Sequence, residues 1–241
     1  MTLLVLKFHR ARPAGASSPE ILDRVFQHVA RHCHCVLPGE PLEARKINVC
    51  LTFDDAYYDF YHTVFPRLRE HGLKALLAVP VGLCPESTDY SAEERLDLLD
   101  KFEMPYRPFA SFCTWTELGE LAQSDCVGFA AHGMDHIALD GDDVDLQREI
   151  VEPKHVLKQR LGAEVASYIF PYGRTTRRAW RLVQDHYRYA FTDGHATNRG
   201  WDAQRLHRVA VSHFSDPIEI FTSARLRQLR WRVVWNQLCR N

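Results

Sequence analysis

The sequence has no excess of charge of either sign. It has 30 lysines and arginines against 31 aspartates and glutamates, a formal net charge of −1 over 241 residues. A chain without a global field has no long-range attraction for nucleic acid or for an anionic membrane. No apolar run is long enough to cross a bilayer, and no repeat or low-complexity segment stands out. We therefore expect no nucleic-acid partner, and any membrane contact has to come from a local patch.

Cysteine is too sparse and too scattered for a disulfide framework. The seven cysteines are an odd number without paired spacing, which suits a reducing compartment. The apolar stretch within Met1–Lys7 is too short for an export signal, and no small-residue cleavage site follows it. These features lead us to expect a cytoplasmic protein.

One local cluster, His32-Cys33-His34-Cys35, contains residue types that bind metals. Alternate residues of an extended segment point to opposite faces, so the four side chains could not grip one ion. We favour a half-buried strand here over a metal site.

The sequence does contain enough apolar material for a substantial core, since hydrophobic residues make up 46% of it. Apolar runs typical of buried strands alternate with helical patterns, which indicates a parallel sheet with right-handed crossovers. The predicted strands are 3–8, 47–53, 73–80, 127–131, 165–170, 187–192 and 206–211, and the predicted helices are 19–31, 58–71, 114–122, 143–161 and 175–186. We predict a single α/β domain over 1–241, of a length that suits a barrel-like fold.

Residues 82–112 interrupt this alternation with prolines and a charged stretch. A segment of this length usually contains a local helix, here 91–101, or shapes a binding site, so we predict an insertion. Nearby aromatic side chains could line a sugar groove, and they could equally be packing: Tyr106, Phe109, Phe112 and Trp115.

The closing segment, 217–238, has the pattern of an amphipathic helix rich in arginine, with Arg225, Arg227, Arg230 and Arg232. We favour docking of this helix on the barrel or on a neighbouring subunit. Association with a membrane surface or with a biosynthetic complex is the alternative, and a homo-oligomer is left open.

The first candidate for a functional site is Val49–Asp55, where an apolar run long enough for a buried strand ends in two adjacent carboxylates. At the C-terminal end of a parallel strand, Asp54 and Asp55 would enter the crevice where α/β proteins bind ligands. One carboxylate could hold a cation while its neighbour handles protons. Alternatively, Asp55 only caps the helix that follows.

A second apolar run, Val127–Ala131, is followed by His132 and His136. Two imidazoles at this spacing can turn to one side and meet a single ion. With Asp55 they form a three-ligand set that leaves a fourth position for water, as in catalytic zinc sites.

A third apolar run ends in the turn Pro171-Tyr172-Gly173. In their order and spacing, the three segments resemble the polysaccharide deacetylase family, also called the NodB homology domain or carbohydrate esterase family 4. The matching motifs are Thr52–Asp55, His132–His136 and Phe170–Gly173, and the opening strand Leu4–His9 looks like that of the exopolysaccharide-type members. The resemblance covers most of the chain and implies a distorted, incomplete TIM-like (β/α) barrel.

The resemblance also implies an activity, the metal-dependent N-deacetylation of an N-acetylated sugar or polysaccharide precursor in surface polysaccharide biosynthesis. It assigns a divalent metal, most simply zinc, to Asp55, His132 and His136, and the role of general base to Asp54. Without an export signal, the expected substrate is a cytoplasmic nucleotide- or lipid-linked sugar.

Other roles implied by the family concern the oxyanion and the leaving amine. The backbone N–H of Tyr172, which follows Pro171, would bind the oxyanion. We group His9 with these two residues as a residue that contacts the substrate. In many members a late histidine protonates the amine. His207 is the candidate here with His213 behind it, and a solvent-exposed surface histidine is the alternative for both.

Three positions depart from the family pattern. Ala56 replaces the glycine after the two aspartates, Gly133 replaces a serine or threonine, and Ile169 replaces the arginine that orients the catalytic aspartate. The family's late strand ending in His-Asp is also missing. Two alternatives therefore stay open: a catalytically impaired carbohydrate-binding or scaffold protein, and a metal-dependent amidohydrolase acting on a non-sugar amide.

Overall fold

The structure, a computed structural model, describes residues 1–11, 18–101, 109–202 and 205–238. Within these ranges the strands are β1 (Thr2–Phe8), β2 (Cys33–Cys35), β3 (Ile47–Phe53), β4 (Ala75–Val79), β5 (Val127–Ala131), β6 (Ser167–Ile169), β7 (Tyr189–Asp193) and β8 (Leu206–Ala210). The α-helices are α1 (Pro19–His32), α2 (Phe65–His71), α3 (Ala92–Lys101), α4 (Trp115–Ala122), α5 (Glu152–Leu161), α6 (Arg177–His186) and α7 (Ser223–Leu238). Two π-helical turns, Phe60–Val64 and Gln147–Val151, lead into α2 and α5.

The strands form a closed parallel barrel. The sheet order is β1-β8-β7-β6-β5-β4-β3-β2, and an additional pairing of β1 with β3 closes a ring of seven strands. The short β2 pairs with Ile47 to Val49 of β3, while β4 pairs with the later residues Leu51 to Phe53. A ring with one strand fewer than the eight of a TIM barrel confirms the predicted incomplete (β/α) barrel.

The strands are buried on both faces, as expected for a parallel sheet covered by helices. Along β1, Leu3 and Val5 belong to a smaller apolar cluster, whereas Leu4 and Leu6 belong to the large cluster that includes Leu22 of α1. Because side chains alternate along a strand, the smaller cluster fills the barrel and the larger one lies between barrel and helices. The C-terminal ends of the strands are thereby held in one ring.

Local capping explains most helix boundaries. Gly72 (φ 63) and Gly162 (φ 65) cap α2 and α5 in the left-handed conformation, so both helices end at the predicted positions, 71 and 161. Thr114 forms a capping box with Glu117 at the start of α4. The prediction of a helix from residue 143 was wrong by three residues, because the Asp145 carboxylate accepts the backbone N–H groups of the first turn.

The predicted insertion at 82–112 contains α3, and a buried arginine joins α3 to the end of the insertion and to α4. Arg95 donates to the carbonyls of Ala110 and Phe112 and forms an ion pair with Glu117. Phe112 is buried against Tyr57, with ring centroids 5.1 Å apart, so Phe112 is packing rather than groove. Tyr106 lies outside the described residues.

The predicted helix at 217–238 divides in two. A 3-10 turn, Pro217–Phe221, is followed by α7, because the Thr222 hydroxyl accepts the backbone N–H of Arg225 and caps a new helix. Leu226 and Leu229 are buried, and Arg230 donates to the Thr2 hydroxyl at 2.6 Å, so α7 packs on the barrel.

No helix in the described part of the chain is both long enough and apolar enough to cross a membrane. The cluster around Cys33 is strand β2, as predicted. Its side chains pair separately, His34 with Asn48 at 3.1 Å and Cys35 with the backbone of Lys74. The single-domain organisation over 1–241 stays a prediction, as do the membrane, complex and oligomer contacts of α7.

Candidate active site

A cleft of about 250 Å³ opens at the C-terminal ends of the barrel strands. Parallel strands in a barrel present their C-terminal residues to one face, where loops from distant parts of the chain meet. Residues that follow or end β1, β3, β5 and β7 all reach it. The lining residues are Lys7, His9, Arg10, Asp54, Asp55, Tyr57, His132, His136, Tyr172, Asp193 and Arg208.

Three of these side chains converge on one point. His132 Nε2 lies 3.4 Å and His136 Nε2 lies 3.0 Å from Asp55 Oδ1. All three residues are buried, and in the described part of the chain they form the one group of three or more potential ligands. Donor atoms around a tetrahedral zinc at about 2.0–2.1 Å are separated by roughly 3.3 Å, so the spacing suits such an ion.

The hydrogen bonds around this group also fit a divalent cation. The Ile169 carbonyl can only accept, so His132 Nδ1 donates to it at 2.7 Å, which leaves Nε2, the ring nitrogen nearest Asp55, as the one available to a cation. Asp55 Oδ1 and His136 Nδ1 are buried without a well-formed hydrogen bond to any described residue. Burial alone would raise the pKa of Asp55, but His132 and His136 hold it well below its usual range. The carboxylate is therefore ionised, as a ligand must be.

Asp54 faces the same cleft but has a different partner. Arg208 Nη1 donates to Asp54 Oδ1 at 2.5 Å, and both side chains are almost fully buried. Burial raises the pKa of Asp54, yet Arg208, His132 and His9 outweigh it and lower the pKa to about 2. Asp54 is thus an ionised carboxylate that takes no part in the three-ligand group.

Arg208 belongs to a longer charge network. Its Nη2 lies 3.2 Å from Asp193 Oδ1, and Lys7 Nζ lies 2.6 Å from Asp193 Oδ2. Burial would raise the pKa of Asp193, but Arg208 and Lys7 lower it. Asp193 balances the two cations, and the network fixes the guanidinium that faces Asp54.

His9 is the third imidazole among the described residues that line the cleft. It follows β1, and its Nε2 lies 3.7 Å from Asp54 Oδ2. Its side chain is half-exposed at the cleft mouth. Desolvation by the cleft walls lowers the pKa of His9, against the opposing charges of Asp54 and Asp55. It is placed to exchange protons with a bound molecule.

The turn after β6 offers a backbone donor. Tyr172 has φ 57, and its ring lies 4.8 Å from that of His136. The two hydrogen bonds of the turn come from the N–H groups of Gly173 and Arg174, so the Tyr172 N–H is not used by it. Gly173 has φ 65 and a Cβ there would lie 3.2 Å from Asp193, so the turn packs tightly against β7.

Together, a potential metal group, a paired carboxylate and a backbone N–H that its own turn does not use are typical of a hydrolase that attacks an acyl carbon. Comparison with known sequences decides between hydrolase families. The sequence model described as "Polysaccharide deacetylase" matches residues 42–190. The chain belongs to the polysaccharide deacetylase family. The resemblance inferred from the three motifs is therefore confirmed.

Relatives within the polysaccharide deacetylase family include the poly-beta-1,6-N-acetyl-D-glucosamine N-deacetylase of Escherichia coli K12. It is 37% identical over 94 residues, which are 39% of this chain and only 12% of that protein. The fold is shared with a de-N-acetylase from Aggregatibacter actinomycetemcomitans (TM-score 0.73, 16% identity, 92% of this chain and 100% of that one). It is also shared with the Streptococcus pyogenes deacetylase PplD (TM-score 0.71, 20% identity, 95% and 98%).

The structure does not bring His207 to the cleft, which corrects its proposed place as general acid. His207 is adjacent to Arg208 on β8, so the two side chains point to opposite faces of the strand. It is buried, its Nδ1 packs against Gly194, and it is not among the lining residues. His213 lies outside the cleft as well, stacked on His195 with ring centroids 4.4 Å apart.

The departures from the deacetylase pattern have structural explanations. Ala56 has φ 50, so the position still adopts the left-handed conformation for which glycine is usual. Ile169 is buried in the cluster that fills the barrel, and the arginine that faces the aspartate comes instead from β8. Sequence reasoning missed Arg208, although an arginine inside an apolar strand was the available signal.

Proposed function

We propose that this protein is a metal-dependent N-deacetylase that acts on an N-acetylated sugar of a polysaccharide or of its precursor. The observation that carries the proposal is the convergence of Asp54 and the Asp55–His132–His136 group in one cleft. Family membership supports the reaction class. The E. coli relative is named as an N-deacetylase of an N-acetylglucosamine polymer, which supports the substrate class.

The proposed cofactor is a divalent cation, with zinc suited to two imidazoles and one carboxylate. Bound by Asp55, His132 and His136, it would supply Lewis-acid chemistry at the acyl oxygen. The rest of the reaction falls to side chains and backbone of the cleft.

Asp54 is the proposed general base, taking a proton from the water that attacks the acyl carbon. Its low pKa keeps it ionised at neutral pH, as a base must be, and Arg208 holds it in place. The Tyr172 N–H donates to the oxyanion that forms as the carbonyl becomes tetrahedral. The C–N bond then breaks, and the amine leaves as it gains a proton.

His9 replaces His207 as the proposed donor of that proton. It lines the cleft, lies 3.7 Å from Asp54 and has a lowered pKa, so its protonated form gives up a proton readily. In this scheme Asp54 and His9 handle the two proton transfers from neighbouring positions.

The proposed substrate is cytoplasmic, a nucleotide- or lipid-linked N-acetylated sugar. The six cysteines of the described part of the chain are unpaired, which supports a reducing environment. Poly-N-acetylglucosamine is the alternative substrate, suggested by the E. coli relative.

The test is acetate release by the purified, zinc-loaded protein from three substrates: N-acetylglucosamine oligomers, a nucleotide-linked and a lipid-linked N-acetylated sugar. We expect release from at least one, lost on chelation and in Asp54→Asn, with zinc binding retained in the variant. A protein that binds zinc but releases no acetate from any of them is not a carbohydrate deacetylase. A panel of non-sugar acetamides then tests the amidohydrolase alternative.

A further inference from the structure

The two imidazoles of the candidate metal site lie on one short loop, residues 132–136, whose backbone is held on one side by the loop after β4. The N–H of Val81 donates to the Gly133 carbonyl at 3.2 Å, and the N–H of Gly82 donates to the Met134 carbonyl at 2.9 Å. The loop needs such support because His136 has φ 54, a conformation that L-residues rarely adopt.

Glu149 holds the other side of the loop. Its carboxylate is buried and accepts two backbone N–H groups, from Met134 at 2.9 Å and from Asp135 at 3.2 Å. Glu149 lies in the π-helical turn before α5, a geometry often found at functional sites. The Tyr168 hydroxyl donates to the Glu149 carbonyl at 3.0 Å and anchors the backbone of that turn.

Gly133 leaves the space that this carboxylate occupies. It has φ +84, and a Cβ at this position would lie only 2.6 Å from Glu149 Oε2. A real Cβ does not approach an oxygen so closely, so either the loop or the glutamate would have to move. The Glu149 carboxylate can therefore occupy this position only because residue 133 is glycine. Gly133 and Glu149 form a matched pair in this sense.

We propose that Glu149 is the positioning residue for the ligand loop, setting the separation of His132 and His136, and that it requires glycine at 133. The inference rests on the proposed metal site. Glu149 touches neither the cation nor substrate. It acts by fixing two N–H groups between the two ligands, as outer partners of metal ligands do elsewhere.

The experiment measures zinc affinity by competition with a chromophoric chelator, together with the melting temperature of the metal-free protein. Glu149→Ala is expected to weaken zinc binding about 10–100-fold, the usual effect of losing an outer partner. Glu149→Gln keeps one acceptor oxygen and should weaken it less. Gly133→Ala should weaken zinc binding about tenfold or more in the native background, because the added Cβ meets the carboxylate.

The deciding comparison is the double variant. When Glu149 is already alanine, the further change Gly133→Ala should weaken zinc binding at least about threefold less than it does in the native protein. If Gly133→Ala weakens zinc binding equally in the native protein and in Glu149→Ala, the two residues act independently and are not a matched pair.

A matched control is Leu157→Ala in α5, which removes a buried side chain that can make no hydrogen bond to the loop. It should lower the melting temperature and leave zinc affinity unchanged. If Glu149→Ala affects zinc affinity no more than this control does, Glu149 is only structural and the inference fails, while acetate release by the native protein would still uphold the proposed function. A native protein that binds no zinc overturns both.

Discussion

Arg208 and Asp54 are 154 positions apart in the chain, yet Nη1 of one donates to Oδ1 of the other at 2.5 Å. The pair joins β8 to the end of β3 across β1, which lies between them in the barrel. A buried carboxylate would otherwise be protonated more easily, and this guanidinium is the main reason for the pKa of about 2 at Asp54. The proposed base is thus kept ionised by a residue outside all three family motifs.

Arg208→Met should raise the pKa of Asp54 by at least about one pH unit, measured as the titration of its carboxyl group in the metal-free protein. The rate at neutral pH should fall about 100-fold, since orientation of the base is also lost. Arg95→Met is the matched control, because Arg95 is equally buried but pairs with Glu117 away from the cleft. A titration of Asp54 that is the same in Arg208→Met and in the native protein would contradict the role.

His9→Gln should lower kcat about 100-fold and remove the alkaline limb of its pH profile, because the leaving amine loses its proton donor. His207→Gln is the comparison at a histidine that the structure places outside the cleft. It should keep kcat per folded molecule within about threefold of the native value. The opposite ranking of the two variants would return the acid role to His207.

Zinc should stabilise the protein against unfolding through Asp55, His132 and His136. At a free zinc concentration of 100 times Kd, the expected gain in unfolding free energy is about 2.7 kcal/mol. Thermal melts with and without chelator measure it. The gain should persist in Asp54→Asn and vanish in Asp55→Asn, and an equal gain in both variants would place the ion elsewhere.

The metal-free protein should lose stability in acid because of Asp54. The pKa of this group falls from 3.8 to about 2 on folding, so its contribution is present above pH 3.8 and is lost as the pH falls through about 2. The contribution is about 2 kcal/mol. Urea unfolding between pH 5 and pH 2 should therefore show a steeper decline for the native protein than for Asp54→Asn. Parallel declines would mean that the carboxylate is not stabilised in the fold.

Much of the site could be predicted because parallel strands bring their C-terminal ends together. Asp54 and Asp55 follow one apolar run, and His132 follows another, so convergence required only that both runs be strands of one sheet. The runs themselves were easy to locate, since strands buried on both faces are continuously apolar. Ile47–Phe53 and Val127–Ala131 occur in the structure with the predicted bounds.

The side chains that contact these site residues could not be located from the sequence in the same way. Neighbouring residues on β8, His207 and Arg208, differ only in the face to which they point, and a shift of one residue exchanges them. The pairing of Val5 with Arg208 sets that register. The chain by itself thus determined the family, the strand ends and the residue types of the candidate metal site, because these depend on local apolar pattern and residue chemistry. Only the tertiary structure decided that Arg208 faces Asp54, that His207 does not, and that Glu149 reaches Gly133, because each depends on register and packing between segments distant in the chain.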